Sequence, residues 1–226
     1  MTPAFPKPDR SFTDEQHMAA LQFTRRLNRH LRLINILLVI NGIAWAAAIA
    51  IMLIGCEPAA EPVRTFVIPQ GEHYAKPKLI ETLQDSELRF EARFDNSAVY
   101  DLHDRALQTN KNKLLGFSEC NTAHHKNSAR FAWQWFNDRL EIYAYCYVDG
   151  NRVETFVGTV ALNSYDRYSI RLTPTQYIFQ LNDENPVYIT RGDVCQTGFY
   201  YMLWPYFGGE IAAPHQVRID IKYPLR

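Results

Sequence analysis

The chain has 226 residues, 47% of them hydrophobic and 13% aromatic, and its 24 Lys+Arg balance 24 Asp+Glu for a formal net charge of zero. That is length for one core rather than two, with an apolar content that excludes a disordered chain. A general polyanion binder is excluded as well, because no Lys/Arg run persists beyond the first quarter, and no nucleic-acid partner is expected.

The charge is unevenly spread. Residues 1–55 hold six basic side chains (Lys7, Arg10, Arg25, Arg26, Arg29, Arg32) against three acidic ones (Asp9, Asp14, Glu15), so the remainder carries the opposite excess. Three prolines within residues 1–12 predict an unstructured tail. Thr13-Asp-Glu-Gln16 then reads as a capping box, its hydroxyl and amide able to satisfy the first free N–H groups of a helix. That helix is expected to run on into residues 33–54, an apolar run interrupted only by Asn35 and Asn41. At a rise of about 1.5 Å per residue the run covers roughly 30 Å, the hydrocarbon thickness of a bilayer. A buried core helix is the competing reading, and the uninterrupted length disfavours it. Arg25, Arg26, Arg29 and Arg32 precede the run and Glu57 and Glu61 follow it. The positive-inside bias therefore puts the N-terminus in the cytoplasm and everything after residue 55 outside.

The run closes on Leu53-Ile54-Gly55-Cys56, which resembles the lipobox of bacterial lipoprotein signal peptides. The resemblance implies an envelope protein acylated on the Cys56 thiol and cleaved before it. An uncleaved single-span anchor is the alternative, since about 32 residues precede the run and it exceeds a typical signal-peptide core. Both readings tether the same body to the same face. With Cys56 acylated, Cys120, Cys146 and Cys195 remain, an odd number that allows one internal disulfide at most. Cys146 is in phase with Leu140, Ile142 and Ala144 and is expected to be buried. No Cys-x-x-C occurs, so neither a redox motif nor a cysteine zinc site is indicated.

After a linker over residues 56–63 the hydrophobic period changes to two, which predicts a β domain over residues 64–226. Residues 88–94 put Leu88, Phe90, Ala92 and Phe94 on one face and Arg89, Glu91 and Arg93 on the other. Residues 128–136, 139–148, 168–172, 177–181 and 217–223 alternate likewise. Asp149-Gly150 supplies a tight hairpin turn, and Thr173-Pro174-Thr175 and residues 182–186 close others. Ten or eleven strands with no strong amphipathic helix among them predict an all-β sandwich or jelly roll. The order of Tyr145-Cys-Tyr-Val-Asp-Gly150, Tyr177-Ile-Phe-Gln-Leu-Asn182 and Pro214-His-Gln-Val-Arg-Ile-Asp-Ile221 resembles that of concanavalin A-like jelly rolls. That fold hosts lectins, glycosidases, lyases and structural modules, so the resemblance selects no function.

With Leu140, Ile142, Ala144 and Cys146 turned to the core, Tyr143, Tyr145 and Tyr147 share the opposite face at about 6.8 Å spacing. A row of tyrosine rings offers flat apolar surface with hydroxyls at the rim, which suits a sugar chain; strand propensity and burial under another layer explain the same residues without a ligand. Arg130 and Gln134 oppose Phe131, Trp133 and Trp135, and are expected to join Arg89, Glu91 and Arg93 and the tyrosines on one polar sheet face as ligand-binding residues. Arg89-Phe-Glu-Ala-Arg93 resembles the Arg-x-Glu-x-Arg strand of jelly-roll alginate lyases, and Tyr206-Phe-Gly-Gly209 begins like their C-terminal aromatic motif, while their Gln-x-His strand is absent. The resemblance implies arginines that neutralise a uronate carboxylate beside a Tyr/His pair that handles the α-proton. Cross-strand ion pairing explains the same charges. The paired carboxylates of a glycoside hydrolase are not recognisable.

Adjacent His124 and His125 would diverge in extended chain, and zinc would need a distant third ligand such as His103 or His215. Asp101, Asp104, Asn182 and Asp183 offer oxygen donors without EF-hand spacing. The segment Trp204-Pro-Tyr-Phe-Gly-Gly209 is expected to cap the sandwich, with a ligand rim as the alternative. No nucleotide loop, Gly-x-Ser-x-Gly elbow or His-Glu-x-x-His occurs, and no cofactor or metal is expected. The sequence therefore describes a membrane-tethered envelope protein whose β-sandwich binds glycan or another extended surface ligand without catalysis. A polysaccharide lyase or glycoside hydrolase, and a structural or assembly protein, are the alternatives.

Overall fold

The computed structural model describes residues 14–54, 62–119, 121–192 and 200–223. The tail over 1–12, Thr13, Gly55, Cys56 and most of the 56–63 linker, Cys120 and Cys195 lie outside the described residues. The chain divides into two compact units, Met1–Ala59 and Ala60–Arg226.

In the first unit a single helix, α1 (Asp14–Ile54), runs unbroken for 41 residues. The basic segment and the apolar run are thus one rod of about 60 Å, twice what hydrocarbon alone requires. Within His17–Ala47 an 18-residue stretch reaches a mean hydropathy of 1.5, and none of that stretch is buried against protein, so α1 is long and apolar enough to cross a membrane.

The second unit has twelve strands among its described residues: β1 (Val63–Ile68), β2 (Thr82–Leu83), β3 (Glu87–Phe94), β4 (Asn112–Ser118), β5 (Ser128–Phe136), β6 (Arg139–Val148), β7 (Asn151–Val160), β8 (Tyr165–Leu172), β9 (Gln176–Leu181), β10 (Val187–Thr190), β11 (Tyr200–Leu203) and β12 (Val217–Lys222). They form two six-stranded antiparallel sheets, ordered β1-β12-β3-β8-β9-β10 and β2-β11-β4-β5-β6-β7. This is the all-β jelly-roll sandwich that the alternation predicts, with twelve strands among the described residues where ten or eleven were expected; strands as short as β2 and β10 leave no periodic signal. The helical content among its described residues is one turn, α2 (Arg105–Gln108), and a 3-10 turn at Asn96–Ala98. Asp104 caps α2 by accepting from the Ala106 and Leu107 amides.

The inward faces of both sheets supply the core. Phe90 of β3 meets Phe131 of β5 edge-on at 6.0 Å, and Phe94 meets Trp133 at 5.1 Å, so aromatic pairs bridge the layers. Cys146 is a buried free thiol facing this core. Asp149 (φ 50°) and Gly150 (φ 85°) make the β6–β7 turn with both central residues at positive φ, as expected for an Asp-Gly hairpin. Asn137 (φ 50°) and Asp138 (φ 57°) do the same between β5 and β6. These two-residue turns fix the register of β5, β6 and β7.

One expectation is corrected by the sheet order. Arg89, Glu91 and Arg93 lie on β3, in the sheet opposite the tyrosine strand, and do not join its face. They are spent on ion pairs: Arg89 with Glu87 at 2.6 Å, Glu91 with Lys222 at 2.7 Å, and Arg93 with Asp220 at 2.6 Å. Asp220 of β12 is buried, yet hydrogen bonds from Thr65 and Arg93 outweigh the effect of burial and hold its carboxyl below the usual range. Side-chain alternation assigns a residue to a face of its own strand; it carries no information on which sheet that strand enters.

Candidate functional site

The outer face of the β4–β7 sheet carries a groove of about 1000 Å³. Its floor follows from register. Tyr145 of β6 sits between Arg130 of β5 and Glu154 of β7, and Tyr147 between Ser128 and Arg152. All six point away from the core because they alternate with Ala129, Phe131, Ala144, Cys146 and Val153. The walls come from the 74–80 segment, the His124–His125 turn and the Trp204–Tyr206 segment.

Of the residues expected on this face, Tyr145, Tyr147 and Arg130 line the groove. Gln134 and Tyr143 share the face but lie beyond its end, in a closed hydrogen-bond set. Gln134 donates to Glu141 at 2.6 Å, Tyr143 donates to Glu141 at 2.8 Å, and Arg139 pairs with the same carboxylate at 3.0 Å. Lys111 seals that set from the groove side, donating to Gln134 at 2.8 Å and standing 4.1 Å over the Tyr143 ring.

Arg130 is the deepest charge. It is 8% exposed, donates through Nη2 to the Trp204 carbonyl at 3.0 Å, and its Nε is buried without a hydrogen bond. Burial pushes its guanidinium down to about 10, still charged at neutral pH. Gly116 of β4 is what admits it: a Cβ there would stand 2.1 Å from the Ala129 carbonyl oxygen and 2.8 Å from Arg130 Cγ. Lys113 lies next to it, donating to the Lys111 carbonyl at 2.7 Å and the Gly208 carbonyl at 3.0 Å, with its ammonium 4.8 Å over the Tyr145 ring. Burial, with the Arg130 charge beside it, brings Lys113 down to about 8. Burial and a hydrogen bond with Tyr147 raise Tyr145 to about 12, so its phenol stays protonated.

Gly208 has φ 66°, and a Cβ on it would meet the Ile211 carbonyl oxygen at 2.1 Å, so this position needs glycine and thereby sets the carbonyl that holds Lys113. The segment around it both caps the core and lines the groove. Phe207 is buried against Tyr100 and Trp133, while Tyr206 turns outward, edge-on to Tyr74 at 5.0 Å. The histidines do not diverge: they sit in a turn, their rings 4.0 Å apart, with His125 edge-on to Tyr147 at 5.1 Å. Burial, followed by the His125 and Arg130 charges, lowers His124. No group of three His, Cys, Asp or Glu suited to a metal ion occurs among the described residues.

Sequence reasoning offered Tyr206 within its alternative of a ligand rim and missed Lys113, Tyr74, Arg152 and Glu154. The last two were within reach, because a two-residue turn at Asp149-Gly150 obliges Arg152 to face Tyr147 and Glu154 to face Tyr145. Lys113 and Tyr206 meet only through an isolated bridge between β4 and a segment 93 residues later, which leaves no local signal.

Fold and groove together define a jelly-roll β-sandwich with an aromatic, cationic cleft on one sheet. No protein-family model matches the chain, and no curated protein matches it. Solved structures with a similar sandwich include an alginate lyase from Klebsiella pneumoniae (13% identity, TM-score 0.45, 62% of this chain and 58% of that one). They also include a structure from work on endo-acting O-glycanases of the human gut microbiota (10%, 0.49, 74% and 82%) and the laminarinase catalytic domain from Thermotoga maritima MSB8 (9%, 0.47, 70% and 74%).

Proposed function

We propose that this is a membrane-tethered envelope protein whose sandwich domain binds a glycan chain in the β4–β7 groove without catalysis. The observation that carries the reading is the groove itself: about 1000 Å³, open along a strand that sets Tyr145 and Tyr147 in a row, with Tyr206 and Tyr74 on the wall. Sugar rings present C–H faces to such rings and hydroxyls to the polar groups around them. Tyr145→Ala is expected to abolish retention on a glycan array and to shift the melting temperature by only a few degrees, since the ring lines the groove rather than the inter-sheet core. Retained binding, or loss of the fold, would refute the assignment.

The tether rests on α1 and on the four arginines ahead of its apolar run, which favour a cytoplasmic N-terminus. Under the lipobox reading Cys56 carries the acyl chain, and a palmitate analogue is expected to label the wild type and not Cys56→Ala. Equal absence of label from both leaves the uncleaved span.

A polysaccharide lyase is the second reading, favoured by one observation: Lys113, with its lowered proton affinity, stands over the Tyr145 ring within reach of the buried Arg130 charge. Ultraviolet-absorbing unsaturated ends released from an acidic glycan would decide for it. A glycoside hydrolase draws no support from the lining, because among the described residues Glu154 is the one carboxylate in the groove.

A further inference from the structure

The groove floor has a charge that the protein does not neutralise. Among the described residues Lys78, Lys111, Lys113, Arg130 and Arg152 line the groove against the single carboxylate of Glu154, in a chain whose formal net charge is zero. Glu154 is taken by Arg152 at 3.1 Å. Glu141, just beyond the end of the groove, is held by Arg139, Tyr143 and Gln134. Elsewhere in the sandwich Arg64, Arg93 and Arg191 each meet a carboxylate at 2.6 or 2.7 Å. Arg130 is more than nine-tenths buried and meets none among the described residues: one carbonyl oxygen accepts from Nη2, and Nε has no acceptor. The Lys113 ammonium likewise rests on two carbonyl oxygens and two tyrosine rings.

A guanidinium sunk to this depth without a counter-ion is costly to the folded protein unless an anion arrives from outside. The donors left over on Arg130 match an anion with two or three oxygens, and guanidinium planes bind such groups through paired N–H bonds. Its depth sets the reach. The charge lies at the bottom of an aromatic cleft rather than along a ridge, which suits an acidic substituent on a sugar ring seated among the tyrosines and not the phosphates of a duplex.

We propose that the groove selects acidic glycans, taking the carboxylate of a uronic acid or a sulfate half-ester on Arg130, with Lys113 beside it. This rests on the glycan reading above and narrows it to a ligand class.

The test uses the full chain in detergent micelles at 0.15 M salt, with calorimetric titration of hexagalacturonate, a sulfated galactan hexamer, neutral cellohexaose and the oligonucleotide dT6. At least one acidic hexamer is expected to bind ten-fold or more tightly than cellohexaose, and whichever does so identifies carboxylate or sulfate. Arg130→Gln is expected to reduce that affinity to the neutral level. Should Arg130→Gln fail to fold, Lys113→Gln, which alters a residue lining the groove, is expected to lower the acidic affinity several-fold and by a clearly larger factor than the neutral one. Equal affinity for acidic and neutral hexamers would overturn the inference and leave the glycan reading standing. Binding of none of the glycans would overturn both, and tighter binding of dT6 would replace the glycan with single-stranded nucleic acid. An acidic preference that survives both substitutions would overturn the assignment to Arg130.

Discussion

Trp133→Ala is expected to cost about 3–5 kcal/mol in chemical denaturation, the range for deleting a large buried aromatic ring. The ring is fully buried and lies at the junction of three parts of the fold. It meets Phe94 of the opposite sheet at 5.1 Å, Tyr100 of the connecting segment at 5.9 Å, and Phe207 of the groove-lining segment at 6.0 Å. The cavity left behind cannot close without moving one of them, and domain stabilities are only about 5–15 kcal/mol. Because Phe207 adjoins Tyr206, the groove should loosen together with the core. Trp133→Phe should recover much of the loss, since the indole N–H it discards has no hydrogen-bond partner. A midpoint unchanged in Trp133→Ala would mean that the two sheets do not pack through this ring.

The second large effect is expected at Glu119→Gln, again about 3–5 kcal/mol, the penalty for removing one partner of a buried ion pair. Glu119, just beyond β4, is fully buried, and Arg191, just beyond β10, has a side chain only 7% exposed; they meet at 2.7 Å. Arg191 also donates to the Thr173 carbonyl and lies over the Tyr177 ring, so it cannot swing into solvent when its carboxylate is removed. The pair ties the end of one sheet to the end of the other. Removing both charges in Glu119→Leu/Arg191→Leu should be far milder than the single change, because an apolar pair restores neutrality. A double-mutant cycle in urea measures the coupling; additive losses would show that the two residues act independently.

The contrast between Arg191 and Arg130 bears on function. Both guanidinium groups are buried, but one has a carboxylate within the fold and the other opens toward a groove. A balanced composition conceals this, because the zero net charge of the chain is a sum in which a local excess of cations, such as Lys111, Lys113 and Arg130, is offset by carboxylates elsewhere. Exclusion of a general polyanion binder from net charge therefore says nothing about a local site.

What the sequence determined by itself is what depends on neighbours along the chain. The apolar length of residues 33–54 made α1 a spanning candidate, and period-two alternation identified the all-β body, the core residues of β3, β5 and β6, and the outward face of Tyr143, Tyr145 and Tyr147. Asp149-Gly150 marked a hairpin because its backbone must take positive φ. The tertiary structure alone decided which strands share a sheet. It sent Arg89, Glu91 and Arg93 to ion pairs on the far layer, and brought Lys113, Tyr206 and Tyr74 to Arg130 and Tyr145. The physical reason is that alternation is a property of one strand's own geometry, whereas sheet membership is set by hydrogen bonds between segments tens of residues apart, whose pairing no local pattern encodes.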